Sequence, residues 1–460
     1  MKDHRFPRIP PGLPLAQILG PLSHALELTE GQPVGHCLRC CYIGTRIGDA
    51  LNLPEAEMDD LFYTLLLKDL GCSSNASQVS QTYLADDIAF KNTFKTLPDS
   101  PVAALRFVLS GTGPKADLPR RIRALANVLR NGGQIVNDII ETRCQRGAAI
   151  AKRLHFSPSV QDGISNLDEH WNGKGWPNGL SGEAIPLASR IALLSQLVDV
   201  IHHARGRKAA MDEVAGRSGG RFDPELVEIF KRLAKDPDFW ADLEDPDIEF
   251  LVLSRGAALH QRPVNADFLD EVAAAFANVV DAKSRFTADH SDRVTLYTDM
   301  IATQLGHSAQ HRRWLRRAAL LHDLGKLGVS NQILDKPGAL DAAEWQAIRA
   351  HPAAGSEILK RITAFADMAP IARSHHERLD GGGYPDGLTA EALPLDVRIV
   401  TVADVFDALS AHRPYRDALP MDEVFDILDR ETGTAFDADC VAALKSGLGR
   451  LQSVRGARNA

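Results

Sequence analysis

Along the C-terminal half of the chain, apolar residues recur at three- and four-residue steps. In HSDRVTLYTDMIATQLG, residues 290–306, they fall at Val294, Tyr297, Met300, Ile301 and Leu305. That period predicts a helix with one apolar face. The same pattern predicts helices over 312–322, over 343–362 with Ile358, Leu359 and Ile362 on one face, and over 396–410. Few stretches alternate with period two, so the expected fold is all-α. The Pro/Gly-rich residues 7–14 and the tail after about residue 450 are expected to be loose.

The chain also repeats itself. LDEHWNGKGWPNGL at 167–180 is answered by HHERLDGGGYPDGL at 375–388, and EAIPLASRIALLSQLVDV at 183–200 by EALPLDVRIVTVADVFDA at 391–408, both at an offset of 208 residues. Upstream, KDLG at 68–71 answers HDLG at 322–325, and GHCLRC at 35–40 answers DHSDRV at 289–294, at an offset of 254. The N-terminal copy therefore holds about 46 additional residues between these blocks. The expected organisation is an extension at 1–19, a first helical domain at 20–235, a helical linker at 236–283, a second domain at 284–448 and a tail at 449–460.

Composition narrows the classes. A chain of 460 residues suits two or three domains. With 52 Lys and Arg against 60 Asp and Glu, the net charge of -8 gives no general footprint for long nucleic acid. The start lacks an apolar core of a secretory signal, and no window reaches 18 uninterrupted apolar residues. The six cysteines, Cys37, Cys40, Cys41, Cys72, Cys144 and Cys440, form no regular framework. A cytoplasmic chain with free thiols and no membrane span is expected.

Chemistry concentrates in the second copy. His290, His322, Asp323, His351, His375, His376 and Asp404 lie on, or at the ends of, apolar helical stripes. His290 precedes Val294 by four, His322 follows Ala318 by four, His375 follows Ile371 by four and Asp404 follows Val400 by four. Side chains at such steps share a helix face, so several helices can aim them into one core pocket. Isolated there, each would be costly; gathered around divalent metals, their charges and lone pairs are satisfied.

The phrases HDLGKLGVSNQILDKPGAL at 322–340, HPAAGSEIL at 351–359, HHERLDGGGYPDGL at 375–388 and VADVFDALSAHRPYR at 402–416 resemble the HD-GYP subfamily of the HD phosphohydrolases over about 165 residues. The resemblance implies an all-α architecture of two tandem HD/HD-GYP-like helical domains. It also implies metal-dependent hydrolysis of a cyclic dinucleotide, with cyclic di-GMP the leading substrate. One metal would take His290, His322, Asp323 and Asp404. The second would take Asp323 as a bridge, with His351, His375 and His376. Asp323 and Lys326 would be catalytic, and Lys326, Tyr384, Arg413 and Arg416 would meet the substrate. Tyr384 of the Gly383-Tyr384-Pro385 loop can stack on a purine, hydrogen-bond a phosphate, or pack the loop. Trimetal members carry Glu four residues before the first ligand His, where this chain has Phe286, so two divalent ions are expected. Mixed N/O donors with a bridging carboxylate suit iron or manganese.

The first copy departs from this pattern. His36 and Asp69 answer His290 and Asp323, but Lys68, Arg143, Leu167, Asp168 and Gln196 stand where His322, His351, His375, His376 and Asp404 stand, and Cys72 replaces Lys326. This copy is expected to keep the fold without catalysis and to serve as a structural, dimerising or sensory partner. Three alternatives to cyclic di-GMP hydrolysis remain open. One is hydrolysis of 3',3'-cyclic GMP-AMP, because a tandem architecture with a degenerate first copy resembles enzymes with that specificity. Another is a phosphohydrolase for a different nucleotide. The last is a non-catalytic signalling module.

Overall fold

The computed structural model describes residues 13–98, 100–259, 264–412 and 416–458. Among them are twenty-two α-helices, short 3-10 turns and isolated β-bridges, with no strand, in agreement with the all-α expectation. The chain divides into two compact units, one up to Phe268 and one from Leu269, with Ser330–Gln332 grouped with the first. No helix of the described residues is long and apolar enough to cross a membrane. All six cysteines are free and buried.

Each unit is built on the same frame. In the first, the helix His36–Ala50 packs on Glu55–Leu67 and on Leu187–Gly216; in the second, His290–Gln304 packs on Ala309–Leu321 and on Leu395–Ser410. The repeat is exact down to close backbone contacts. A Cβ on Gly71 would lie 1.9 Å from the Arg143 carbonyl oxygen, and one on Gly325 would lie 2.0 Å from that of His351. Only glycine fits either crossing. These twin contacts place Arg143 and His351 in equivalent positions. Trp176-Pro177 and Tyr384-Pro385 are both cis, and the bridge Asn172–Ser181 matches Asp380–Thr389.

The structure refines several element boundaries. The helix expected over 343–362 is two, Ala342–Arg349 and His351–Lys360. Pro352 is the reason: it has no N–H to donate and its ring would collide with the carbonyl four residues back, so it is tolerated only in a first turn. The helix Ala16–Glu30 begins inside the expected N-terminal extension, and Ala438–Arg458 continues as helix into the expected loose tail up to the last described residue. Within the expected linker, Pro237–Glu244 and Ile248–Leu259 pack on the first unit, with Phe239 and Trp240 buried. The next helix, Ala266–Asp281, answers Ala16–Glu30. Asp281 accepts from the Ser291 N–H at 3.1 Å, as Glu27 accepts from the Cys37 N–H at 2.7 Å. The repeated frame therefore takes in residues upstream of 284.

Candidate metal centre

Four histidines of the second unit sit at helix ends, and this fixes which nitrogen faces the pocket. His322, His351 and His375 each follow a helical turn whose last carbonyls lack an in-helix partner. Each turns Nδ1–H onto the carbonyl three residues back: Ala319 at 2.6 Å, Ile348 at 2.7 Å and Ala372 at 2.9 Å. Ile348 is the carbonyl that Pro352 cannot serve. With Nδ1 so engaged, the Nε2 lone pair is left for the pocket. His290 lies at a helix N-terminus, where no spare carbonyl exists. Its Nδ1 instead meets Asp407 Oδ2 at 2.7 Å, and Arg293 Nε holds the other Asp407 oxygen at 2.6 Å.

The Nε2 atoms converge on Asp323. Its Oδ2 lies 3.5 Å from His290 Nε2 and 3.4 Å from His322 Nε2; its Oδ1 lies 3.3 Å from His351 Nε2 and 3.6 Å from His375 Nε2. Asp404 Oδ1 joins the first group, 3.4 Å from His290 Nε2, and Asp404 Oδ2 is 3.9 Å from His376 Nδ1. His290, His322 and Asp404 form one cluster and Asp323, His351, His375 and His376 a second. Asp323 turns one oxygen to each.

The donor set fits divalent metal ions. His290 Nε2, His322 Nε2 and Asp323 Oδ1 are buried and make no hydrogen bond. Orphaned groups of this kind are expensive in a core. Their separations are long for hydrogen bonds and match the ~3.0–3.5 Å edges between donors held ~2.1 Å from one ion. Burial pushes His322 down to about 4, which favours the neutral imidazole whose Nε2 lone pair can ligate. In His290 burial is outweighed by Asp323, Asp404 and Asp407, which lift it to about 10. The carboxylates thus demand a positive charge, which a bound cation would supply in place of that proton. His307, His311 and Asp396 also meet, with His311 Nε2 and Asp396 Oδ1 only 2.6 Å apart, a hydrogen-bonded pair.

Lys326 points its ammonium at Asp323 Oδ2, 2.5 Å away. The Tyr384 ring lies against His376, with centroids 4.8 Å apart, and the Arg349 guanidinium covers it at 5.4 Å. The loop that carries Tyr384 is stiffened by Glu377, whose carboxylate accepts from the backbone N–H of Asp386, Gly387 and Leu388 at 2.7, 3.1 and 3.1 Å. Gly383 is obligatory, since a Cβ would fall 2.4 Å from the Glu377 Cα. Arg416 is not brought to the cluster. Its guanidinium caps a helix end, donating to the Ala408 and Leu409 carbonyls at 2.8 and 3.1 Å. Arg413 lies outside the described residues. Phe286 lies beside His412, with ring centroids 5.8 Å apart.

In the first unit the equivalent space is filled by protein. The buried Lys68 ammonium has three N–H donors, and its three neighbours are His36 Nε2 at 3.0 Å, Gln196 Oε1 at 3.2 Å and the Asp69 carboxylate. These answer His290, Asp404 and Asp323. Arg143 and Asp168, at the positions of His351 and His376, form an ion pair. His36, Cys40 and Asp199 also approach one another. Their donor atoms are already engaged: His36 Nδ1 and Asp199 Oδ2 are hydrogen-bonded at 2.6 Å, Arg39 holds Asp199 Oδ1, and burial pushes the Cys40 thiol far up.

Sequence reasoning overlooked Asp407, Arg293 and Glu377. A usable signal was present, because all three persist across the repeat as Asp199, Arg39 and Glu169. A residue that survives when the ligands beside it have changed serves the frame that orients them. Asp407→Asn should weaken metal binding about 10- to 100-fold through loss of His290 orientation, measured by metal titration, with the helical circular dichroism unchanged. Undiminished affinity would remove Asp407 from this role.

The HD domain family model matches residues 103–226 and 274–440. A 3'3'-cGAMP-specific phosphodiesterase 3 of Vibrio cholerae is 48% identical over 438 residues, covering 95% of each chain. The cyclic di-GMP phosphodiesterase response regulator RpfG of Xanthomonas campestris is 40% identical over 188 residues, 40% of this chain and 50% of its own. A crystal structure of a cyclic GMP-AMP specific phosphodiesterase of V. cholerae superposes with a TM-score of 0.65 at 44% identity, covering 95% of this chain and 98% of that one. With a family model on both copies and a relative alike from end to end, the chain belongs to the HD domain family, as a tandem HD-GYP phosphohydrolase.

Proposed function

We propose that this metal-dependent cyclic-dinucleotide phosphodiesterase acts on 3',3'-cyclic GMP-AMP, and that its chemistry resides in the C-terminal copy alone. The observation that carries the substrate is the extent of likeness. The relative matched over 95% of both chains, degenerate region included, is named for 3'3'-cGAMP, whereas RpfG matches over 40% of this chain. That support favours the hybrid dinucleotide over the cyclic di-GMP expected from the motifs.

In this reading His290, His322, Asp323 and Asp404 hold one ion, and Asp323, His351, His375 and His376 the other. Bound divalent ions supply Lewis acidity toward a phosphate and a water of lowered pKa. Asp323 divides its two oxygens between the donor groups and so sets their spacing. Lys326, beside Asp323, neutralises a phosphate oxygen as charge builds there. Tyr384, held by Glu377 and the glycine loop, walls the side next to His376. Arg416 acts on the substrate only by shaping the end of the helix that carries Asp404; Arg413 is proposed to meet phosphate directly. The mixed N/O donors suit iron or manganese.

The test is turnover of 3',3'-cyclic GMP-AMP and cyclic di-GMP by anaerobically purified protein, with metals counted on the same sample. A higher kcat/KM for the hybrid and two metals per chain are expected. Preference for cyclic di-GMP overturns the substrate, and a third tightly held ion overturns the two-metal reading.

A further inference from the structure

The additional residues of the N-terminal copy form structure that the second copy lacks, including the helix Pro101–Gly111 and the first half of the 36-residue helix Leu118–Arg153. One face of that long helix packs inward: Val128 is buried, and Ile135 and Ile139 join it against Val79 and Tyr83. A second face is polar, with Arg120, Arg123, Asn127, Arg130 and Gln134 all exposed. Between them runs a third face whose positions are Leu118, Ile122, Leu125, Leu129, Gly132 and Val136, at steps of 4, 3, 4, 3 and 4. This is a heptad a/d seam, with β-branched residues at two of its a positions and leucine at two of its d positions. Leu118, Ile122 and Leu129 are exposed, as are Val102, Leu105 and Leu109 of the preceding helix, at 43 to 69%. A groove of about 490 Å³ runs along that shorter helix beside Leu105 and Leu109.

We propose that this seam is a dimer interface, occupied by the same seam of a second copy of the chain. It goes beyond the catalytic reading and does not depend on it. The spacing selects the occupant. A bilayer is met by a broad apolar face, whereas an a/d stripe flanked on one side by the helix's own core and on the other by arginines matches one partner helix of equal period. A seam of this kind is complementary to itself about a two-fold axis. Gly132 and Gly133 support the same occupant. Each weakens a helix relative to alanine, and nothing lies within 4 Å of where a Cβ would stand on either. Two glycines over open space in mid-helix are explained by the close approach of a second backbone. The exposed apolar side chains amount to roughly 600 Å² per copy, near the ~800 Å² per partner of a standard interface.

Light scattering of the full-length protein after gel filtration should report twice the chain mass of 50.1 kDa. The double change Ile122→Glu with Leu129→Glu touches only exposed positions. It should weaken the dimer at least a hundredfold and leave a monomer with unchanged helicity and metal content. Arg123→Glu with Arg130→Glu, on the polar face, should remain dimeric. Should the glutamate pair fail to fold, backbone amide exchange of the wild type reads the same point, with protection over residues 118–136 rising with concentration. A wild-type monomer up to ~100 μM, a dimer unaffected by the seam changes, exchange independent of concentration, or a monomer that sediments with phosphatidylglycerol vesicles would each overturn the proposal.

Discussion

Asp323→Ala is expected to abolish hydrolysis and to release most of the bound metal. Its carboxylate turns one oxygen to each histidine group, within 3.5 Å of His290 and His322 on one side and within 3.6 Å of His351 and His375 on the other. Burial opposes its charge, yet His322, Lys326, His290 and His351 hold it well below the ordinary carboxylate range. Its loss would remove a donor from both proposed ions at once and leave Lys326 without its carboxylate partner, with Asp404 the remaining carboxylate among the residues of the two clusters. Turnover should fall by more than about ten-thousandfold, above 5 kcal/mol of transition-state stabilisation. Elemental analysis and single-turnover assay on the same folded sample provide the measurement. Retained turnover would mean that the chemistry lies elsewhere.

Lys68→Ala should produce the opposite profile, a large loss of stability with catalysis intact. Lys68 and Asp69 are both buried and paired, and the neighbouring Asp69 lifts the ammonium well above its ordinary value against the effect of burial. Removing one partner of such a pair leaves an uncompensated buried charge, at a cost of about 3–5 kcal/mol. For a unit of this size that lowers its unfolding temperature by roughly 10 °C, which calorimetry would detect as an early transition. The double change Lys68→Met with Asp69→Asn removes both charges and should recover much of the loss. Asp69→Ala alone should also leave the chemistry intact. Assays below the early transition, with saturating metal, should give turnover near that of wild type. A loss beyond about a hundredfold, with C-terminal metals still bound, would show that the first copy takes part in the reaction.

The all-α class, the internal repeat and the seven residues that the fold gathers into two clusters were all legible in the linear chain. Helical period is a local property, and the phrases around His322, His375 and Asp404 carry their own spacing. Substitution across the repeat also located the lost donors of the first copy, down to Arg143 at the place of His351. Tertiary structure alone decided how each donor is aimed. A histidine in sequence does not state which nitrogen faces inward. The spare carbonyls of Ala319, Ile348 and Ala372 settle that for three of them and Asp407, 117 residues away, for the fourth. Arg416 sits within a motif yet spends its guanidinium on helix-end carbonyls. Lys68 reads in sequence as a lost ligand; in three dimensions its ammonium meets the three side chains that answer His290, Asp323 and Asp404. The reason is common to all of these. Periodicity tells which face a residue shares, but hydrogen-bond satisfaction in a core is decided by atoms that are distant in the chain and close only after folding.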